Sequence, residues 1–319
     1  MRTIGMRRLV LTVILAGVSA SLAGCGPSQP ALRLRAEVGR GLVYEVRRTD
    51  DWPDPVFGHG GVLETAVRLR LETTDAVFER GGSYQTVVEA VQVTSAPRFG
   101  VLIDTDTPTP AREDPDPLQV EIFARSLLGR PGNLTIHANG SAGAVEPDRE
   151  LRSELSRWAR DKGQADKDER RRATRVAMLL DQLVDGPRVA ARALQSPGLL
   201  LPRDAYPEAG ATWTREAPPS PSPAGLLACT IDVAYERRAD GVVVLTGKGA
   251  FTCPKALPDA KLAFVSGTFS AEAEFDTERG VFIRYEEHSE MVFTHVADVA
   301  EIRGEETRAK WHRVLTLVE

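Results

Sequence analysis

The feature that most restricts the fold is an unbroken alternation early in the chain. Leu63, Thr65, Val67, Leu69 and Leu71 take one parity, and Glu64, Ala66, Arg68, Arg70 and Glu72 take the other. Successive strand side chains point to opposite faces, so this run fits a strand with one buried and one wet face. Gly41-Leu42-Val43-Tyr44-Glu45-Val46 opens a strand before it, and Gly81-Gly82 turns the chain between Ala76-Val77-Phe78 and a long strand from Tyr84 to Val93. Connections this short make antiparallel meanders, because a parallel crossover needs a dozen residues or more.

The pattern returns after Leu199-Leu200-Leu201-Pro202, with Pro218 to Pro223 read as a proline-rich loop. Thr230 to Arg237 and Val242 to Thr252 form a hairpin, for which Ala239-Asp240-Gly241 supplies the turn. A second hairpin follows. Val265, Phe269, Ala271, Ala273 and Phe275 share one face, Asp276 to Gly280 turns, and Val281, Ile283, Tyr285, Met291 and Phe293 share the facing side. Pairing Phe275 with Val281 carries Ala273 onto Ile283 and Ala271 onto Tyr285, so apolar meets apolar along the hairpin. Trp311 to Val318 is a last strand.

Between the two β regions the period changes from two to that of a helix. Asp116 can cap and Pro117 suits a first helical position, ahead of the stripe Val120, Phe123, Ala124, Leu127 and Leu128, which Gly129 stops. Asn133 to Ala138 is a strand, Asn139-Gly140 a turn, and Ala142 to Val145 the return. Leu151, Leu155, Trp158 and Ala159 mark one further helix. Ala173, Val176, Ala177, Leu180, Leu183 and Val184 mark another, closed by Gly186-Pro187. The fold class is therefore α+β: predominantly antiparallel, curved β-sheet, with connecting amphipathic helices packed on it. Gly41-Leu42-Val43-Tyr44 matches Gly210-Ala211-Thr212-Trp213, and Gly132-Asn133-Leu134-Thr135 matches Gly267-Thr268-Phe269-Ser270, which points to an internal duplication. It predicts two curved sheets or one continuous one. The expected organisation is a signal segment 1–24, an acylated cysteine and tether 25–31, a first β-rich half 32–147, a helical connection 148–198 and a second β-rich half 199–319.

The N-terminus gives an address. Arg2, Arg7 and Arg8 precede an apolar run from Leu9 to Leu22, which has signal-peptide length and is short for a permanent membrane span. It ends in Leu22-Ala23-Gly24-Cys25, which resembles the lipobox of bacterial lipoproteins. The resemblance implies cleavage between Gly24 and Cys25 by signal peptidase II, a diacylglyceryl thioether on Cys25 and acylation of the new amino group. Two or three chains on one residue anchor a protein stably, where a single chain does not. Gly26 stands where an Asp commonly retains such proteins at the inner membrane, so the expected location is the cell envelope, at the outer membrane facing the periplasm. The body is similar to bacterial lipoproteins with a duplicated β-rich body, which implies no biochemical activity. It is more remotely similar to the half-barrel of periplasmic lipoprotein and lipid carriers, where helices close a curved sheet over an apolar cavity.

The chain has three cysteines. With Cys25 acylated, Cys229 and Cys253 are left as an even pair in an oxidising compartment. With a two- or three-residue loop in their hairpin, Cys229 falls opposite Phe251 or Thr252, and a disulfide needs only a diagonal pairing or one bulge.

No catalytic constellation emerges. A hydrolase needs a nucleophile on a sharp turn with a base and an orienting acid, and there is no Gly-x-Ser-x-Gly. Among the histidines, His59, His137, His288, His295 and His312, none has the spacing used by zinc peptidases. The nearest cluster is His288, Glu290 and His295. Parity separates His295 from the other two, so these are expected to be two solvated polar residues and one half-buried histidine. Asp104-Thr105-Asp106 lacks the glycine and closing Glu of a calcium loop. Gly58-His59-Gly60-Gly61 precedes a strand and is read as a turn. Arg170-Arg171-Arg172 with Arg175 is diluted by Asp166, Asp168 and Glu169 and is read as a solvated helix face. A formal net charge of −5, spread along the chain, argues against nucleic acid. No cofactor, metal or catalytic residue is expected. The leading expectation is a non-enzymatic, membrane-anchored binding or structural module whose partners are the membrane, through its anchor, and a hydrophobic small molecule or an envelope protein. A half-barrel carrier of a lipid or other hydrophobic ligand is the alternative, and a hydrolytic enzyme comes third.

Overall fold

A computed structural model describes residues 31–52, 61–77, 81–95, 102–106, 119–145, 148–164, 166–203, 207–208, 210–237, 241–296 and 304–318. Leu22, Ala23, Gly24, Cys25 and the tether as far as Pro30 lie outside the described residues, as do Asp116, Pro117 and His59. The first half contributes β1 (Gly41–Trp52), β2 (Gly61–Val77), β3 (Gly81–Ser95), the short β4 (Ile103–Asp104), α1 (Val120–Leu127) and β5 (Gly132–His137). The middle contributes α2 (Arg149–Lys162), α3 (Lys167–Val184) and α4 (Gly186–Gly198). The second half is β6 (Thr212–Ser222), β7 (Gly225–Arg237), β8 (Val242–Ala256), β9 (Leu262–Asp276), β10 (Val281–His295) and β11 (Glu306–Leu317).

These strands form one open, curved, antiparallel sheet of 11 strands in the order β4-β3-β2-β1-β11-β10-β9-β8-β7-β6, with β5 also on β3. The last strand closes the join: β11 lies between β1 and β10, pairing Tyr44 with Leu317 on one edge and Tyr285 with Leu315 on the other. One continuous sheet is thus the outcome, and the matched glycine segments do not occupy equivalent places in it. Gly41 opens an interior strand while Gly210 precedes the edge strand β6, and Gly132 opens the short β5 while Gly267 lies within the long β9.

The alternation in β2 is realised as read. Val67, Leu69 and Leu71 are buried, and Arg70 and Glu72 are exposed. That inner face is covered by helices: Ala173, Val176, Leu180 and Leu183 of α3 and Val189, Ala190 and Leu194 of α4 share a cluster with Leu69, Leu71, Val91, Leu245, Phe275 and Tyr285. Each fully buried Leu or Phe there contributes about 1.5–3 kcal/mol from removed apolar surface. A smaller cluster of Leu227, Leu262, Met291, Phe293 and Ala309 is built by β7, β9, β10 and β11. Phe123 of α1 and Trp158 of α2 stack with centroids 4.8 Å apart.

Several expectations need correction. Gly186-Pro187 ends α3 but also opens α4, capped by Asp185, whose Oδ1 accepts from Arg188 N at 3.3 Å. Proline suits this place because its missing N–H is one of those a helix start leaves unpaired. The first helix starts at Val120, with Gln119 at its N-cap. Pro218 to Pro221 belong to β6, which continues to Ser222 past an irregularity between Ala217 and Ser220. Proline survives there because β6 is an edge strand with one side free of ladder bonds. The β9–β10 hairpin has a different register: Phe275 faces Phe282, Ala273 faces Tyr285 and Ala271 faces Glu287. A register shift between Phe282 and Arg284 inserts a residue, so Phe282 is buried while Ile283 is only half-buried.

The expected disulfide is absent, and Cys229 and Cys253 are free thiols. Cys229 does lie opposite Phe251, leaving Cys253 diagonal to it. The two thiols lean apart. Cys229 Sγ sits over Gly249, on the far side from Cys253, only 3.0 Å from where a Cβ on that glycine would be, and Cys253 Sγ approaches Ala224 O at 3.9 Å. A diagonal pair starts about 7–8 Å apart at Cα, beyond the usual disulfide span, and the space left by Gly249 draws the Cys229 side chain the other way.

Candidate functional site

The outer face of the sheet is wet, and its centre brings three chemically competent side chains together. Register places His288 of β10 directly opposite His312 of β11, and Glu286 precedes His288 by two residues and so shares its face. The imidazole rings stack at 4.3 Å with 5° between their planes. Both Nε2 atoms reach one carboxylate oxygen, Glu286 Oε1, at 3.2 Å from His288 and 3.0 Å from His312. Arg284 Nη2 donates to the other oxygen, Oε2. The three ligand atoms lie within 4.8 Å of one another. Partial burial would raise the Glu286 carboxyl, but the hydrogen bond from His312, the Arg284 charge and the hydrogen bond from His288 together hold it below the ordinary value.

Open troughs flank this group. One, of about 370 Å³, is lined by Lys248, Ser270, Glu272, Arg284, Glu286 and His288. The other, of about 580 Å³, runs along Glu45, Arg47, Thr49, His312, Val314 and Thr316. Imidazole and carboxylate at this separation can chelate a cation or relay a proton.

The opposite face at the same strands carries a buried polar contact. Tyr285 Oη donates to Glu287 Oε2 at 2.6 Å, and the Arg313 guanidinium lies 3.8 Å from that carboxylate. Arg313 Nη1 also donates to Ser196 Oγ at 2.8 Å, so this contact ties β11 to α4. Burial, then the Glu287 charge, pushes the Tyr285 hydroxyl well above its usual value.

A third feature lies between α2 and α3. A groove of about 750 Å³ has Leu155, Ala159, Ala177 and Met178 in its lining and Arg152, Arg160 and Arg170 among its polar residues. Met178 is 60 % exposed.

Of the residues the sequence singled out, His288, Glu290 and His295 are kept apart. His295 is buried, with its Nε2 3.2 Å from Thr307 Oγ1, while Glu290 on the outer face accepts from Arg308 at 3.2 Å. The acidic segment is engaged internally: Arg68 holds Asp106 through two hydrogen bonds, and Asp104 Oδ1 accepts from Asp106 N. Within the basic run, Arg170 donates to Gly163 O, which ties the start of α3 back to the end of α2. Sequence reasoning missed Glu286 and His312. The pair Glu286-x-His288 was visible as a same-face spacing, but His312 joins it only once the β10–β11 register is known.

No family model matches this chain, and no curated protein matches it. Among solved structures, one described as "lipid-protein interactions in lipovitellin" is similar at 10 % identity with a TM-score of 0.43. The alignment covers 89 % of this chain and 25 % of that one, so the chain spans about a quarter of the length of the structure it matches. At that level of likeness no activity passes to this chain.

Proposed function

We propose that this chain is a lipid-anchored protein of the bacterial cell envelope, held through acylated Cys25 at the outer membrane facing the periplasm, and that its sheet and helices form a non-enzymatic binding module. The observation that carries the reading is Leu22-Ala23-Gly24-Cys25 at the end of an apolar run behind Arg7 and Arg8. Among the described residues no helix is long and apolar enough to cross a membrane. The test is Cys25→Ala: the variant stays unprocessed by signal peptidase II and carries no acyl chains in mass spectrometry. Acyl chains on Cys25→Ala, or an unmodified Cys25 in the wild type, would defeat the proposal.

A second reading is favoured by the α2–α3 groove. A carrier of the half-barrel kind holds its ligand on the sheet, whereas here α3 and α4 side chains occupy that face. If the module takes a hydrophobic ligand, its place is the groove, where an acyl chain lies against Leu155, Ala177 and Met178 and an anionic head meets Arg152 or Arg160.

A further inference from the structure

We propose that Glu286, His288 and His312 form a binding site for a divalent transition-metal cation of the zinc class on the outer face of the sheet. Three observations carry it. The donor set, two imidazoles and one carboxylate, is one that protein zinc and iron sites use with three protein ligands and open positions for water or substrate. The spacing fits as well. Bonds of about 2.0–2.1 Å in tetrahedral geometry put ligand atoms about 3.3 Å apart. The two imidazole-to-carboxylate separations are 3.2 and 3.0 Å, and all three atoms fall within 4.8 Å. A cation entering between them needs the two imidazoles, now stacked at 4.3 Å, to tilt so that the ligand atoms close from a spread of up to 4.8 Å toward about 3.3 Å, a movement open to side chains that are partly solvent-exposed.

The third observation is the support around the donors. Arg284 occupies Glu286 Oε2 and so turns Oε1 toward both histidines, the role that outer partners play in fixing a ligating carboxylate. The antiparallel register, which sets His288 against His312 on the same face of adjacent strands, fixes the two imidazoles relative to each other more firmly than a loop would. A carboxylate oxygen only accepts hydrogen bonds, so each Nε2 now pointing at Oε1 carries a hydrogen, and a metal ion would replace both. The troughs of about 370 and 580 Å³ leave the remaining coordination positions open.

The test is calorimetric titration of the purified, chelator-treated chain with Zn²⁺ alone, run beside Cys253→Ser so that the half-buried thiol cannot supply the site. The expected result is one saturable equivalent in both proteins. His288→Ala and His312→Ala should each weaken it by at least the roughly 10–100-fold that loss of an outer partner costs, and Arg284→Ala should fall within that range. His288 and His312 are 59 % and 40 % exposed at the side chain, so both variants should keep the wild-type circular dichroism spectrum. His312→Gln, which keeps a polar side chain of similar reach, serves if His312→Ala does not fold. Absence of a one-equivalent phase, or a phase that survives in the folded His288→Ala and His312→Gln proteins, overturns the proposal.

Discussion

The contact between Glu287 and Arg313 offers a sharp test of how the sheet is held to its helices. Glu287 is 8 % exposed and its carboxylate lies 3.8 Å from the Arg313 guanidinium. With the effective dielectric of about 20 that suits partly buried sites, two unit charges at that distance attract by about 4 kcal/mol. Arg313 also donates to Arg192 O and Ser196 Oγ of α4. Replacing it by Met leaves a buried carboxylate with only the Tyr285 hydroxyl and cuts the tie to the helix, which should cost about 3–5 kcal/mol. Glu287→Gln retains an acceptor for Tyr285 and leaves Arg313 its α4 partners, so about 1–2 kcal/mol is expected. The double variant should be more stable than the sum of the two losses by about 1–3 kcal/mol. Urea unfolding followed by tryptophan fluorescence reads this as shifts in midpoint at constant slope. An internal control lies on the other face of the same strands: Arg308 and Glu290 are closer, at 3.2 Å, but 62 % and 37 % exposed. That pair should couple by less than about 1 kcal/mol. Additive effects at Glu287 and Arg313, or equal coupling in the two pairs, would refute the argument that shielding from water outweighs distance.

Two further outcomes follow from the cysteines and the groove. Burial, and secondarily the Glu287 charge, pushes the Cys229 thiol up to about 11, so in Cys25→Ala protein at pH 8 a disulfide reagent should modify Cys253 quickly and Cys229 only at the rate of unfolding. The raised value means that the thiol's contribution to stability is full below its ordinary value and is lost as pH rises toward about 11. Cys229→Ala should therefore flatten the alkaline loss of stability, and an unchanged slope would count against it. For the α2–α3 groove, Ser156→Trp fills an exposed lining position without touching the core. It should weaken dodecanoate binding in native mass spectrometry by about tenfold, the loss of roughly two buried methylenes. Equal adducts in both proteins, or none in the wild type, would remove the groove as a ligand site.

What the sequence determined by itself was the local order. Leu63 to Glu72 had to be a strand with one buried face, and Ala173 to Val184 had to be a helix, because each period is written in neighbouring residues. The register of the β7–β8 hairpin was legible to within one residue, Cys229 falling opposite Phe251 or Thr252, since a short loop limits the pairings, and the structure selects Phe251. Where an irregularity intervened, local counting failed. The insertion near Ile283 shifted the β9–β10 pairing so that Ala271 faces Glu287 in place of Tyr285, and it could not be inferred from parity, which gave only that Glu287 shares the inner face of Tyr285. The leaning of the two thiols depended on the space over Gly249. In the Glu286, His288 and His312 cluster the same-face spacing of the first two was legible, and the arrival of His312 was decided by tertiary structure. Its members come from strands joined by a long connection, and only the placement of β11 between β1 and β10 sets His312 beside His288. A period records which face a residue takes along its own strand, whereas chemistry between strands depends on which strand lies alongside and in what register, and that is fixed by the packing of the whole sheet.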